Sequence, residues 1–268
     1  MKTLPFKKLI CLISLMLCLC VFAGLLSACQ PDKPKAPDVY NTTSAANATV
    51  VETTAVSANP ADPSAPTEEV LPVNPINFKE LQKINKDLYA WLKIPGTVID
   101  YPVAQSSVED DNYYLHSDYM GNYDFAGTIY SQRHNTKYFV ERVTVLYGHN
   151  MLDGSMFAGL HKFSDPEFFE KNDTIYVYIP GHILTYKIFA AYDYDDRHIM
   201  NSFDFYKDDV YSQYIKDCLN PHSTNSIVRK GVELTLDDRI ITLSTCHDYN
   251  SSLRFLVQGV LVDDQRTQ

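Results

Sequence analysis

Short runs of apolar residues, broken by turn formers, recur through most of residues 76–264. The runs at 98–103, 127–131, 142–147, 174–179, 182–192, 240–244 and 254–262 are rich in Val, Ile, Leu, Tyr and Phe. Gly, Pro, Asn, Asp and Ser separate them, which is the pattern of strands and their turns. Seven or eight short strands without regular helix alternation predict a β-barrel or sandwich rather than a doubly wound parallel sheet. Three stretches have helical spacing instead. Residues 78–92 place Leu81, Ile84, Leu88 and Trp91 three and four apart, predicting an amphipathic helix that opens the domain. Residues 156–163 with 166–169 predict a second helical stretch. Residues 203–219 predict a third, with Phe205, Val210, Tyr214, Ile215 and Leu219 roughly on one stripe. Cys218 lies near that stripe and is expected to be a buried, unreactive thiol.

Upstream of residue 76 the pattern changes twice. Lys2, Lys7 and Lys8 precede an uncharged apolar run at 9–28, long enough to cross a bilayer with its basic end in the cytoplasm. That run ends in Leu26-Ser27-Ala28-Cys29, which resembles a bacterial lipobox, in which Cys29 is lipidated and the preceding segment removed. A retained span and a lipidated Cys29 both place the remainder on the outer face of a membrane. Residues 30–75 then carry eight of the 14 prolines, one aromatic and no glycine, a composition expected to form a disordered tether. A flexible chain of that length reaches roughly 35–40 Å. The expected organisation is an anchor at 1–29, a tether at 30–75 and one folded domain at 76–268.

Composition narrows the chemistry. The 268 residues carry 23 basic and 33 acidic side chains, a formal charge of −10, with no basic cluster of the kind that neutralises nucleic-acid phosphates. Of six cysteines, Cys11, Cys18, Cys20 and Cys29 lie in the N-terminal segment. Cys218 and Cys246 alone remain for the folded domain, too few for a disulfide scaffold or a four-cysteine zinc site. No metal and no organic cofactor is expected. Neither G-x-S-x-G nor a P-loop motif occurs.

Residues 239–262 read as a strand, a polar turn and a second strand, with Cys246 at the end of the first and Arg254 entering the second. Antiparallel pairing would bring thiol and guanidinium side by side. An arginine there lowers a thiol pKa or holds a developing oxyanion. Among eight histidines, His247 adjoins Cys246 and points to the opposite face of an extended strand. His149, which follows the apolar run 143–147 across Gly148, is the favoured proton partner. On these residues alone, a packed cysteine and a surface histidine stand beside a Cys-His-Arg site as alternatives.

Thr242-Leu243-Ser244-Thr245-Cys246 followed by Arg254 resembles the catalytic signature of sortases, the cysteine transpeptidases of Gram-positive cell surfaces. The stretches 91–103 (WLKIPGTVIDYPV), 111–115 (DNYYL) and 147–151 (YGHNM) resemble class B sortases in content and order, and the long helical stretch at 203–219 is a further class B feature. The resemblance spans about residues 76–264. It implies an eight-stranded β-barrel with an N-terminal helix and a long helix before the penultimate strand. It implies Cys246 as nucleophile, His149 as general acid and base, and Arg254 as oxyanion or substrate-orienting donor, with Ser244, Thr245 and Asn112 lining the substrate groove. The implied reaction cleaves a C-terminal sorting motif after Thr through a thioacyl enzyme, then transfers the protein to an amine of peptidoglycan or its lipid-linked precursor. The expected partners are surface proteins bearing a sorting signal. A cysteine peptidase on the same barrel and a non-catalytic, lipoprotein-tethered binding module are the alternatives. One departure stands out: where the class often has an acidic residue before an Arg-Asn pair, this chain has Ser131-Gln132-Arg133-His134-Asn135, to which no role is assigned.

Overall fold

The computed structural model describes residues 36–41, 71–246 and 252–268. The helix expected at 78–92 is half that length. Helix α1 (Phe78–Ile84) starts at Asn77, whose side chain accepts from the Glu80 amide at 3.2 Å, and stops at Asn85, whose backbone is extended. Strand β1 (Leu88–Lys93) follows. A β-bulge between Leu88 and Ala90 explains the misleading pattern. The extra residue puts Leu88 and Trp91, three apart, into the same outer cluster with Leu81, while Tyr89, Ala90 and Leu92 enter the barrel core. A bulged strand buried on both faces thereby imitates helical spacing.

The remaining elements follow in chain order: β2 (Asp100–Gln105), a 3-10 turn (Tyr113–Leu115), β3 (Ile129–Ser131), β4 (Val143–Tyr147), a 3-10 helix (Phe157–Ser164), α2 (Pro166–Lys171), β5 (Thr174–Ile179) and β6 (His182–Asp195). Then come α3 (Ile199–Ser202), α4 (Asp208–Leu219), β7 (Ser226–Val228), β8 (Ile240–Cys246) and β9 (Leu253–Arg266). The strands are ordered β5-β1-β2-β3-β4-β8-β9-β6-β7, and a further β5–β6 pairing closes the first eight into a barrel. β7 is a short addition outside the ring, too brief at three residues to leave a periodic signal. β6 and β9, both 14 residues, exceed their predicted lengths because their outer ends are polar and exposed, where alternation no longer reports pairing.

Three apolar clusters hold the barrel. Inside it, Ile129, Leu146, Ile241, Leu243 and Val257 meet Phe157, Leu160, Phe163 and Phe169 from the 3-10 helix and α2. On one outer face α4 packs Tyr211, Tyr214, Ile215 and Cys218 against Val143, Val145, Ile240 and Leu256. There Gln258, fully buried, bonds the Tyr192 and Tyr214 hydroxyls and Thr242 at 2.9–3.0 Å, so no polar end of that side chain is left bare.

On another face α1 covers Trp91, and part of the expected tether joins it. Residues 1–35 and 42–70, holding the expected anchor and most of the tether, lie outside the described residues. Residues 36–41 do not behave as a free linker. Tyr40 bridges Ile76, the Asn41 amide donates to the Pro75 carbonyl at 2.7 Å, and Val39 is 5% exposed. The Tyr40 ring meets Trp91 edge-on at 5.6 Å and its hydroxyl donates to Asp100. Within a Pro- and Ala-rich stretch, this one Val-Tyr pair supplies enough apolar surface to dock. Among the described residues no helix is long and apolar enough to cross a membrane.

Candidate active site

β8 and β9 pair so that Cys246 faces Arg254 across the ladder and Ser244 faces Leu256. Directly opposite residues on antiparallel strands project to the same side, so thiol and guanidinium share a face as the sequence predicts. The turn that joins the strands, with His247, lies outside the described residues.

β4 runs parallel to β8 with Tyr147 opposite Ser244, and this places His149 two residues past the end of the strand. Gly148 makes that placement possible. A Cβ there would lie 2.5 Å from Ile129 Cδ1 and 2.9 Å from the Phe157 ring. Its amide donates to the Ser244 carbonyl at 3.3 Å and its carbonyl accepts from Thr245 Oγ1 at 2.8 Å, so β8 grips the glycine from both sides.

His149 Nε2 sits 2.9 Å from the Leu115 carbonyl. A carbonyl only accepts, so Nε2 carries the proton and Nδ1 is the basic nitrogen. The ring packs against both His116 and Phe125, with centroids 5.3 and 5.4 Å away, and those two rings lie 5.9 Å from each other, so the three form one cluster. Burial lowers its pKa below the ordinary 6.5; the Leu115 carbonyl opposes that shift and nearby His116 adds to it. Gly127, at φ +64°, folds the 112–127 loop tightly enough that a Cβ would strike the Leu115 carbonyl at 2.4 Å.

Asn112, His149, Ser244, Thr245, Cys246 and Arg254 all line one cleft of about 300 Å³. They do not share one kind of environment. Thr245 is 1% exposed with its hydroxyl committed to Gly148, so it shapes the His149 loop. Asn112 Oδ1 accepts from Tyr130 and Gln132. A second guanidinium, Arg197, borders the cleft but is chelated by Asp195, with Nε at 2.7 and 2.9 Å from the two carboxylate oxygens. Larger hollows of about 850 and 500 Å³ lie elsewhere on the surface and lack the Cys246–His149 pair.

The sequence alone assigns no role to two further contributors. His161, 85 residues from Cys246, donates from Nε2 to the Cys246 carbonyl at 3.1 Å and stacks on Phe255 at 4.8 Å, holding the end of β8 from the barrel side. Tyr147 contributes a buried hydroxyl with no hydrogen-bond partner among the described residues, and burial raises its pKa. Cys218, by contrast, is 1% exposed; burial pushes its thiol up to about 11, and it accepts from the Tyr192 hydroxyl at 3.8 Å. Among the described residues no group of three or more His, Cys, Asp or Glu side chains is arranged to hold a metal ion.

The chain matches the sortase domain family model over residues 92–262. It is 38% identical to sortase B of Listeria monocytogenes over 195 residues, covering 69% of this chain and 73% of that protein. Its fold superposes on sortase B of Clostridium perfringens with a TM-score of 0.62 at 32% identity, over 70% of this chain and all of that one. A Staphylococcus aureus sortase B–substrate complex superposes with a TM-score of 0.60 at 28% identity, over 72% of this chain and 87% of that one. A closed eight-stranded barrel, a thiol paired across strands with an arginine, and these relatives agree: the chain belongs to the sortase family of cysteine transpeptidases, alongside the class B sortases.

Proposed function

We propose that this protein cleaves a C-terminal sorting signal after a threonine and joins the new carboxyl end to an amine of peptidoglycan or its lipid-linked precursor. The observation that carries the proposal is the meeting of Cys246, His149 and Arg254 in one cleft, with Cys246 and Arg254 in cross-strand register. His149 Nδ1, neutral near pH 7 because burial lowers its pKa, takes the Cys246 proton. The thiolate attacks the threonine carbonyl carbon, and the resulting oxyanion lies within reach of the Arg254 guanidinium. His149 returns its proton to the departing amine as the C–N bond breaks, leaving a thioester on Cys246. An incoming amine gives its proton to His149 and attacks that thioester. A new amide forms and the Cys246 thiolate leaves, regaining a proton. The thioester keeps the energy of the peptide bond long enough for an amine to compete with water.

The uncharged run at 9–28, with Cys29 at its end, supports attachment to the outer face of the cell membrane, through a retained span or a lipidated Cys29. The test is incubation of the protein with a panel of sorting-signal peptides, with and without an amine acceptor, beside Cys246→Ala. Amide product that appears only with the acceptor and vanishes in the variant is the expected result. Hydrolysis unaffected by acceptor points to a peptidase, and no cleavage with wild-type protein sinks the proposal.

A further inference from the structure

The run 131–135, which departs from the usual class B pattern, is woven into the cleft. Gln132 bridges its two walls. Gln132 Nε2 donates to Asn112 Oδ1 at 2.9 Å, on the wall formed by the 109–115 segment. Its Oε1 accepts from His198 Nε2 on the opposite wall, where α3 begins. The direction of that bond is settled by the far side of the imidazole: His198 Nδ1 accepts from the Asn201 amide at 3.1 Å, so the ring proton sits on Nε2. Both ends are braced. Arg133 ties down Asp111 and the Glu109 carbonyl, and the His134 ring packs 5.2 Å from His198. Asn135 bonds the backbone of β4 at Val143 and Val145.

The consequence falls on Asn112. Its carbonyl oxygen accepts from Gln132 and from the Tyr130 hydroxyl at 3.1 Å, which fills both lone pairs. The hydrogen-bonding group it has left is the amide nitrogen, a donor suited to a peptide carbonyl. Asn112, Tyr130, Gln132 and His198 all line the cleft that holds Cys246.

We propose that Gln132 and His198 are positioning residues for peptide binding: their hydrogen-bond relay joins the two cleft walls and holds Asn112 with its N–H groups presented to a carbonyl of the bound peptide. The inference rests on the reading of this cleft as a peptide site. The experiment measures KM and kcat for a cleaved sorting peptide in wild type, Gln132→Met, Gln132→Glu, Asn112→Ala and the Gln132→Met/Asn112→Ala double variant, with the Cys246 alkylation rate and melting temperature as controls for the fold. Gln132→Met is expected to raise KM about five- to tenfold, the effect of about one hydrogen bond, with kcat and alkylation unchanged. Gln132→Glu, the same size, is expected to do at least as much harm. A carboxylate keeps the His198 bond but cannot donate, so Asn112 turns its N–H groups toward it and its carbonyl toward the peptide. In the double variant the Gln132 change is expected to add nothing to Asn112→Ala. Unchanged KM in both Gln132 variants, or losses that simply add, would overturn the relay while leaving the catalytic proposal intact. Failure of wild-type protein to cleave any peptide would overturn that proposal and the relay with it.

Discussion

Cys218 and Cys246 lie under one barrel's shared packing and differ in what surrounds them. Burial in the α4 interface pushes the Cys218 thiol up to about 11. Cys246 is partly exposed in a cleft with His149 and opposite Arg254. Of the two cysteines of the folded domain, alkylation in the native state is therefore expected at Cys246, with Cys218 labelled only after unfolding. Cys218→Ala is expected to retain activity, and native-state labelling of Cys218 would contradict this account. His149 carries a pH prediction. Its depressed pKa means the acid limb of kcat/KM falls below pH 6.5, whereas a limb above 6.5 would mean that burial does not govern the residue. His198 is also depressed, by burial and by His134. The unfolded chain binds protons at both sites near 6.5 and the native chain only lower. Stability should thus rise with pH from their native values up to about 6.5 and level off above, as urea titrations at several pH values would show. Gly148→Ala tests placement without touching a reacting atom. Its Cβ collides with Ile129 and Phe157, and shifting His149 by about 1 Å is expected to cost about a hundredfold in kcat.

Elements were legible in the sequence where side-chain type follows the period of the element. β5 (Thr174–Ile179) matches its expected bounds to the residue, its aliphatic Ile175, Val177 and Ile179 entering the barrel core and Tyr176 and Tyr178 the outer cluster, and α4 shows its stripe, shortened at the start because Phe203 and Phe205 belong to the loop that packs beneath it. β1 misled because its bulge puts Leu88 and Trp91 on one face. The barrel reads Trp91 as a strand residue at 1% exposure, its indole nitrogen donating to Asp100 at 2.6 Å. Trp91→Ala is expected to cost about 3–5 kcal/mol in urea unfolding, the usual loss for a buried tryptophan. A cost under about 1 kcal/mol would count against the bulged-strand packing. The docked 36–41 segment was illegible because its composition is that of a linker and the partners of Tyr40, which are Ile76, Trp91 and Asp100, are 36 to 60 positions away. A chain starting at Leu71 should melt several degrees below one starting at Ala36, at about 2–4 °C per kcal/mol lost for a domain of this size. Equal melting temperatures would remove the segment from the fold.

At the scale of the molecule, closure of the ring between β5 and β6 puts every described strand but β7 under two-sided pairing, and the cleft forms where β4 and β8 end and β9 begins. Cys246, Arg254 and His149 could be read from the sequence because each sits at a recognisable strand end and within a family motif. Gln132, His198 and His161 could not. Each acts through a hydrogen bond to a residue 20 to 85 positions away, and no periodicity records such a pairing. The thioester on Cys246 is a covalent intermediate, and intact-protein mass spectrometry reads it directly. After brief mixing with a sorting peptide, the protein is expected to gain the mass of the peptide's N-terminal fragment ending in threonine, on Cys246. Hydroxylamine should discharge it as a thioester does, and Cys246→Ala should not acquire it. Peptide cleavage that proceeds without any such adduct, or that survives in Cys246→Ala, would contradict the account.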